Sequence, residues 1–192
     1  MIAIIKYNAG NISSVQNALN RLGYESIITD NAQTILKAEK VIFPGVGEAS
    51  SAMKYLKEKE LDKVIFALQQ PMLGICLGLQ LMCAYSEEGN TKCLGIFDTQ
   101  VKRFPPMGLV PHIGWNNFTN LKSQLFDSLQ KENNVYYVHS YYAVPCEETI
   151  GVCDYITRFS AAMQKNNFYA TQFHPEKSAE IGEQILKNFL EL

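Results

Sequence analysis

The chain has 192 residues, of which 47% are hydrophobic and 19% charged, and its formal net charge is -2 at pH 7. These values are ordinary for a globular protein with one sizeable core, so we predict a single domain over residues 1–192. The basic residues form no run or stripe, which disfavours nucleic acid and anionic membrane surfaces as partners.

The shortness of the apolar stretches disfavours a membrane or secreted protein, and the spacing of the cysteines disfavours a disulfide-rich or zinc-binding one. No apolar stretch approaches the length of about twenty residues that a membrane span needs, and no basic segment leads into the apolar core of a secretory signal. The five cysteines are scattered and include no C-x-x-C pair, which argues against a disulfide framework or a zinc site. We therefore expect a protein of the reducing cytoplasm that needs neither a metal nor another cofactor.

The first half of the chain alternates short apolar runs with helical periodicity. Strands are predicted over residues 2–7, 24–28, 41–43 and 72–75. Helices are predicted up to residue 22, and over residues 31–36, 50–68 and 77–85. We expect Asn11 or Ser13 to cap the first helix and the third helix to break near Glu60. Pro44 and Gly45 should stop the third strand. Continuous apolar strands separated by helices predict a parallel sheet covered on both faces.

After about residue 95, β-branched and aromatic runs with turn signals between them replace the helical patterns. The predicted strands are residues 100–104, 134–138, 155–157 and 168–171, and a helix follows over residues 178–189. We interpret these strands as an antiparallel extension of the sheet. The predicted fold class is therefore α/β, with an open, mainly parallel, twisted sheet and helices on both faces.

Residues 74–78 read Gly-Ile-Cys-Leu-Gly where a predicted strand turns into a helix. This is the pattern of a nucleophile elbow, with cysteine in place of the hydrolase serine. The helix N-terminus would favour the thiolate of Cys76, and the N–H group of Leu77 is a natural oxyanion donor. Taken alone, the pattern also fits a small buried cysteine in a turn. The strand before it and the helix after it favour the nucleophile.

A cysteine nucleophile needs a base and a group that orients the base. The chain has three histidines, His112, His139 and His174. His174 lies in a His-Pro-Glu run just after a predicted strand, and alternate residues of an extended chain point the same way. Glu176 can therefore accept from one imidazole nitrogen while the other faces Cys76. In isolation the run equally fits a turn with an exposed glutamate. For His112 and His139 we expect a structural or binding role.

Residues 44–47, Pro-Gly-Val-Gly, follow the third predicted strand, beside the strand of the elbow. Ligands in such sheets bind at the carboxyl ends of the strands. The two glycines leave the backbone free to aim the N–H group of Val46 or Gly47 at an oxyanion, beside that of Leu77. An ordinary turn is the alternative for this run by itself. It is not a phosphate loop, because the glycine spacing and the Lys-Ser/Thr ending are missing.

Together these residues resemble the class I (triad) glutamine amidotransferases from end to end, and most of all the glutaminase subunits of imidazole glycerol phosphate synthases, which serve histidine biosynthesis. The blocks that carry the resemblance are residues 7–11, 43–47, 74–80, 86–89, 111–116, 138–141 and 171–178. The elbow and His-Pro-Glu blocks are general to the amidotransferases, whereas residues 7–11 and 111–116 point to the subfamily. The resemblance implies a flavodoxin-like fold.

The resemblance also implies roles for particular residues. Cys76, His174 and Glu176 match the catalytic triad, and Val46 and Leu77 match the oxyanion donors. Gln80, Glu88, Gly47, Ser140 and Tyr141 match positions that bind substrate glutamine, the first two through their side chains. A carboxylate at Glu88 suits the free α-amino group. The implied partner is a (β/α)8-barrel cyclase that forms a heterodimer with this chain and receives ammonia through a channel.

Three other functions remain as alternatives. A related glutaminase subunit could feed ammonia to a different synthase, for example in surface-sugar biosynthesis. A cysteine peptidase or γ-glutamyl hydrolase would use the same elbow without needing Gln80, Glu88 and the run at residues 139–141 together. A silent interaction module would lack a triad member, and none is missing.

Lys6 and residues 48–50 depart from the family pattern, near the expected site or the partner face.

Overall fold

Strands and helices alternate in the first half of the chain, and strands dominate the second half. The computed structural model describes residues 1–8, 10 and 12–192. The helices are α1 (Ile12–Arg21), α2 (Ala32–Lys37), α3 (Ala49–Glu58), α4 (Leu61–Phe66), α5 (Leu77–Met82) and α6 (Ala179–Glu191). The strands are β1 (Ile2–Ile5), β2 (Ser26–Thr29), β3 (Lys40–Gly45), β4 (Met72–Cys76), β5 (Cys83–Ser86), β6 (Thr91–Lys92), β7 (Phe97–Arg103), β8 (His112–Asn116), β9 (Asn120–Leu121), β10 (Val135–His139), β11 (Tyr141–Ala143), β12 (Thr149–Asp154), β13 (Arg158–Lys165) and β14 (Phe168–Thr171).

One large sheet organises the fold, with the strand order β2-β1-β3-β4-β14-β13-β12-β9. The first five strands in this order pair in parallel, and the last three pair antiparallel. Two smaller sheets, β10-β8 and β11-β7-β5-β6, lie beside it. The predicted mainly parallel sheet with an antiparallel extension is confirmed. It places the carboxyl ends of β3, β4 and β14 side by side, which is where such sheets bind ligands.

Helices cover both faces of the large sheet, as predicted. On one face, Leu19 of α1 and Phe189 of α6 are fully buried in a common core. On the other face, Leu56 of α3 and Ile65 of α4 are fully buried in a second core, together with residues of α2 and α5. Within the described part of the chain, no helix combines the length and apolarity that crossing a membrane requires.

The helix predicted over residues 77–85 is wrong beyond residue 82. Cys83 has an extended backbone (φ -69°, ψ 173°), and β5 follows at once. This strand pairs in parallel with β7 and antiparallel with β6. The ladder hydrogen bonds from β7, which lies further along the chain, outweigh the local helical periodicity.

The strand predicted to stop before Pro44 continues through Gly45 and pairs with β4 as far as Cys76. The β1 ladder has already ended opposite Ile42, so the missing N–H group of Pro44 breaks no bond on that side. The predicted break at Glu60 is confirmed, since this residue takes a left-handed conformation (φ 54°) between α3 and α4. Ser13 lies inside α1 and is not its cap, and Asn11 lies outside the described residues.

The prediction for residues 155–157 is wrong, because they form the bend that joins β12 to β13. The sequence analysis did not predict the two flanking strands, β12 and β13, or strand β8. The last predicted strand exists as β14 but pairs in parallel with β4 and antiparallel only with β13. Side-chain patterns report burial and not strand direction, so the sequence did not reveal this change of partner type.

Candidate active site

Cys76 stands at the junction of β4 and α5 in a backbone conformation that non-glycine residues rarely adopt (φ 55°, ψ -104°). The glycines on either side permit this turn. A Cβ atom at Gly78 would lie 1.9 Å from the carbonyl oxygen of Phe43, and one at Gly74 would lie 2.6 Å from the sulfur of Met82. The predicted elbow is therefore present, and strain of this kind is typical of functional sites.

A cleft of about 300 Å³ opens above the elbow. Its lining includes eight residues predicted from the sequence, Val46, Gly47, Cys76, Leu77, Gln80, Glu88, Ser140 and Tyr141. Pro111, Val138 and His139 complete the lining. Leu77 is the first residue of α5, so its N–H group has no acceptor within the helix and can serve a ligand. The volume suits a small molecule such as a free amino acid.

His174 and Glu176 lie behind the cleft, next to Cys76. The imidazole Nδ1 donates to Glu176 Oε1 over 2.8 Å, and the two side chains are only 2% and 1% exposed. Residues Pro175–Lys177 form a 3-10 turn, so the contact arises from a tight turn and not from the extended backbone that we expected. Gly182 of α6 supports this turn, since a Cβ there would lie 1.9 Å from the Pro175 carbonyl oxygen.

The charge state of His174 depends on these two neighbours. Burial lowers the pKa of His174, but the negative charge of Cys76, a hydrogen bond with it, and the Glu176 carboxylate together raise that pKa to about 10. Nε2 of the imidazole is buried, makes no hydrogen bond to a nitrogen or oxygen, and is the ring nitrogen available to the Cys76 sulfur. The arrangement therefore keeps the His174 imidazole protonated at neutral pH and places it against the Cys76 sulfur, as a base that serves a cysteine nucleophile requires.

Glu88 borders the cleft from a short 3-10 turn, Glu88–Asn90, and its side chain reaches α3. Its Oε2 accepts from the N–H group of Ala49 over 2.9 Å. Burial raises the pKa of Glu88, and the charge of Glu48 adds to this effect. A carboxylate in this position can receive a cationic group that enters the cleft, because such a group would offset the cost of burying it.

The departures from the family pattern that we noted at Lys6 and residues 48–50 lie outside the cleft lining. Lys6 is exposed at the end of β1. Glu48 caps α3, and its Oε2 accepts from the N–H group of Ser51 over 2.8 Å. The change at residues 48–50 nevertheless reaches the cleft through Glu88, which accepts from the Ala49 N–H group and whose pKa the charge of Glu48 helps to raise.

His112 and His139 form a buried pair beside the cleft. The carbonyl of Tyr141 can only accept, so His139 Nδ1 donates to it over 2.8 Å. His139 Nε2 is then an acceptor and receives the Nδ1 hydrogen of His112 over 3.0 Å. Asn116 Nδ2 lies 3.4 Å from His112 Nε2 and donates there. Burial lowers the pKa of both rings, so each is neutral at pH 7 and held in one tautomer. The sequence analysis expected a structural or binding role for these histidines, and this hydrogen-bonded pair supports a structural one.

We expect this pair to reduce stability in mild acid. Burial lowers the pKa of His112 to about 4 and that of His139 to about 3. Below about pH 6.5 the unfolded chain binds protons that the folded chain does not bind, so the free energy of unfolding decreases as the pH is lowered. The loss should approach about 1.4 kcal/mol per pH unit for each histidine. Urea unfolding between about pH 7 and 5 measures it.

A His112→Gln variant should show a smaller loss over the same interval. The raised pKa of His174 acts in the other direction, since its stabilisation is complete in acid and disappears as the pH rises towards about 10. It therefore does not produce an acid loss. A free energy of unfolding that stays constant from about pH 7 to 5 would contradict the neutral pair.

Gln172 is the site residue to which the sequence analysis assigned no role, although it lies in a block that carries the resemblance. Its side chain is fully buried, and its Nε2 lies 3.7 Å from Cys76 Sγ. Its Oε1 accepts from Gln80 Nε2 over 3.0 Å. Its position two residues before His174 at the end of β14 could have indicated this placement.

Groups of His, Cys, Asp and Glu that could hold a metal ion are absent from the described residues. The site itself brings together a thiol at Cys76, the imidazole of His174 and the carboxylate of Glu176. A nucleophile, a base and a base-orienting acid in contact, beside a free helix N–H group, fit acyl transfer.

Comparisons with known proteins find a family and relatives that match nearly the whole chain. Residues 3–192 match the family described as glutamine amidotransferase class-I. The chain is 60% identical to the imidazole glycerol phosphate synthase subunit HisH of Bacteroides fragilis, over 100% of this chain and 99% of the relative. It is 46% identical to the subunit of the same name from Pasteurella multocida, over 99% and 97%.

Solved structures share the fold at low identity. A putative GMP synthase protein from Thermoplasma acidophilum superposes with a TM-score of 0.76 at 18% identity, covering 100% of this chain and 92% of that one. The glutaminase domain of Trypanosoma brucei CTPS gives 0.67 at 16%, covering 99% and 93%. The chain therefore belongs to the class I glutamine amidotransferases and, within them, to the family of HisH subunits of imidazole glycerol phosphate synthase.

Proposed function

We propose that this chain is the glutaminase subunit of an imidazole glycerol phosphate synthase, and that residues 1–192 act as one domain in the cytoplasm. It hydrolyses L-glutamine to glutamate and passes the ammonia to a (β/α)8-barrel cyclase subunit. The observation that carries this proposal is the contact between Cys76, His174 and the Glu176 carboxylate beneath a cleft of amino-acid size. The five free cysteines suit a reducing compartment.

The reaction follows from the roles of these three residues. His174 holds the thiol proton, and the Cys76 thiolate attacks the side-chain amide carbon of glutamine. The oxyanion that forms is stabilised by the N–H groups of Val46 and Leu77. His174 then protonates the leaving nitrogen, and ammonia departs as the glutamyl thioester remains. Water, deprotonated by His174, hydrolyses the thioester and releases glutamate.

Substrate binding in the cleft uses groups that point into it. Glu88 takes the α-ammonium group, since a half-buried carboxylate gains from a cationic partner. Gln80 donates both of its amide hydrogens within the protein, to Tyr141 and Gln172, and therefore offers its Oε1 to a donor of the substrate. Gly47, Ser140 and Tyr141 contribute backbone groups at the cleft wall.

A surface for the cyclase lies next to the cleft. Met107, Leu109, Ile113 and Trp115 are between 55% and 83% exposed, which is unusual for large apolar residues on one short segment. Pro111, in the middle of this segment, lines the cleft itself. Covering it with the cyclase would shield the cleft from water and keep ammonia unprotonated on its way to the second site.

Glutamine-dependent imidazole glycerol phosphate formation by the purified chain mixed with the cyclase tests the function. We expect synthesis with glutamine as the nitrogen donor, and glutamate released in equal amount. Glutamine hydrolysis that no such cyclase stimulates or uses would favour a different synthase. Cleavage of peptides without turnover of glutamine would refute the glutaminase.

A further inference from the structure

A buried line of amide groups runs from the cleft wall to the nucleophile. Gln80 Nε2 lies 2.9 Å from the carbonyl oxygen of Tyr141 and 3.0 Å from Gln172 Oε1. Gln172 Nε2 lies 3.7 Å from Cys76 Sγ. Gln80 is 4% exposed and Gln172 is fully buried, so water does not compete for these groups.

The Tyr141 carbonyl fixes which group donates and which accepts in each of these hydrogen bonds. A carbonyl oxygen only accepts, so the Gln80 atom that faces it must be the amide nitrogen. The same nitrogen faces Gln172, which must present its oxygen, because two amide nitrogens cannot bond to each other. Gln172 therefore directs its remaining group, the NH2, at the sulfur of Cys76. An amide nitrogen does not accept, so the sulfur is the acceptor.

We infer that Gln172 is a further catalytic residue, whose side-chain amide donates a hydrogen bond to the Cys76 thiolate and holds it towards the cleft. The inference rests on the proposed glutaminase function. A hydrogen bond to the charged form favours that form, so the donor increases the thiolate fraction. The imidazolium of His174 and the amide of Gln172 then hold the sulfur from two directions.

The other groups around the sulfur do not supply this effect. Tyr7, which follows β1, interacts electrostatically with Cys76, but burial raises its pKa well above the usual value and keeps the phenol neutral. His139, at the end of β10, lines the same cleft as a neutral ring whose Nδ1 is bonded to Tyr141. His174 is thus the cationic neighbour of the sulfur and Gln172 the neutral donor.

The test is the pH dependence of Cys76 alkylation by iodoacetamide in the full chain, for wild type, Gln172→Met and Gln172→Glu. Methionine keeps the length of the side chain and removes the donor, whereas glutamate keeps the shape and places a carboxylate against the sulfur. We expect the midpoint of alkylation to rise by about one pH unit for methionine, and further for glutamate. Glutaminase kcat with the cyclase should fall roughly tenfold for methionine, with KM for glutamine little changed.

Gln164→Met is the matched control, since Gln164 is a hydrogen-bonded glutamine on the adjacent strand β13, with partners Tyr169 and Ser123. It should leave the alkylation midpoint in place. Thermal unfolding of each variant separates a loss of stability from a shift of the midpoint. The inference would be overturned if the Gln172→Met protein were alkylated with the wild-type midpoint. If Gln172→Glu folds better, the same result for that variant would overturn it. Failure of the proposed function would appear instead as a wild-type chain that alkylates normally but never hydrolyses glutamine.

Discussion

Replacement of Cys76 by alanine should reduce glutamine hydrolysis by roughly 10⁴-fold or more, because no other group can form the thioester. Ammonia-driven synthesis by the complex should remain at the wild-type rate, since ammonia supplied in solution bypasses the glutaminase step that the substitution removes. The measurement is synthase activity of the complex with glutamine and, separately, with ammonium salt at alkaline pH. The two nitrogen sources isolate the glutaminase step from folding and assembly.

Cys93→Ala is the control for the loss of a buried thiol. Cys93 is 6% exposed, as Cys76 is, but burial raises its pKa to about 12 and keeps it protonated. The Cys93 variant should therefore retain glutamine-dependent activity. Full glutamine-dependent synthesis by the Cys76→Ala complex would refute the nucleophile, and loss of the ammonia-driven reaction would mean that the substitution disrupts the complex.

Replacement of Glu176 by glutamine should lower glutaminase kcat by about 10²- to 10⁴-fold. The amide can still accept from His174 Nδ1, so the position of the ring survives while the negative charge is lost. Without that charge the pKa of His174 falls from about 10, and a smaller fraction of the imidazole is protonated at neutral pH. Steady-state kinetics with the cyclase and the pH dependence of Cys76 alkylation measure the two effects.

Glu180→Gln provides the matched control, because Glu180 is an exposed carboxylate in the first turn of α6, four residues further along the chain. It should change kcat by less than about twofold, since exposed charges interact weakly. Wild-type kcat in the Glu176→Gln protein would show that the buried carboxylate has no part in the reaction. An unshifted alkylation profile would show that His174 does not depend on it.

The elbow is the part of the site that could be predicted with the least information. Its requirements are local, because the tight turn at Cys76, the two close-packed glycines and the helix that follows lie within a few residues. The same holds for the pairing of His174 with Glu176, although the turn that makes it is a 3-10 turn and not an extended chain. Two residues this close in sequence can be predicted to be in contact even when the backbone conformation between them is predicted wrongly.

Residues that depend on contacts between distant segments were predicted poorly. The chain leaves its helix at Cys83 because β7 offers hydrogen bonds, and β7 begins at Phe97. The bend at residues 155–157 carries β-forming side chains, yet pairing begins on either side of it. Gln172 received no role because its partners, Cys76 and Gln80, lie more than ninety residues away in sequence.

The sequence by itself determined the class of fold and the family, and it predicted the nucleophile and its base, because apolar periodicity and short motifs record local requirements of the backbone. Only the tertiary structure decided what surrounds the thiolate. The orientation of the Gln172 amide follows from a carbonyl at Tyr141, and the neutrality of His139 follows from burial and from His112. Hydrogen-bond direction and desolvation are properties of groups assembled in space, and no single segment of the chain carries them.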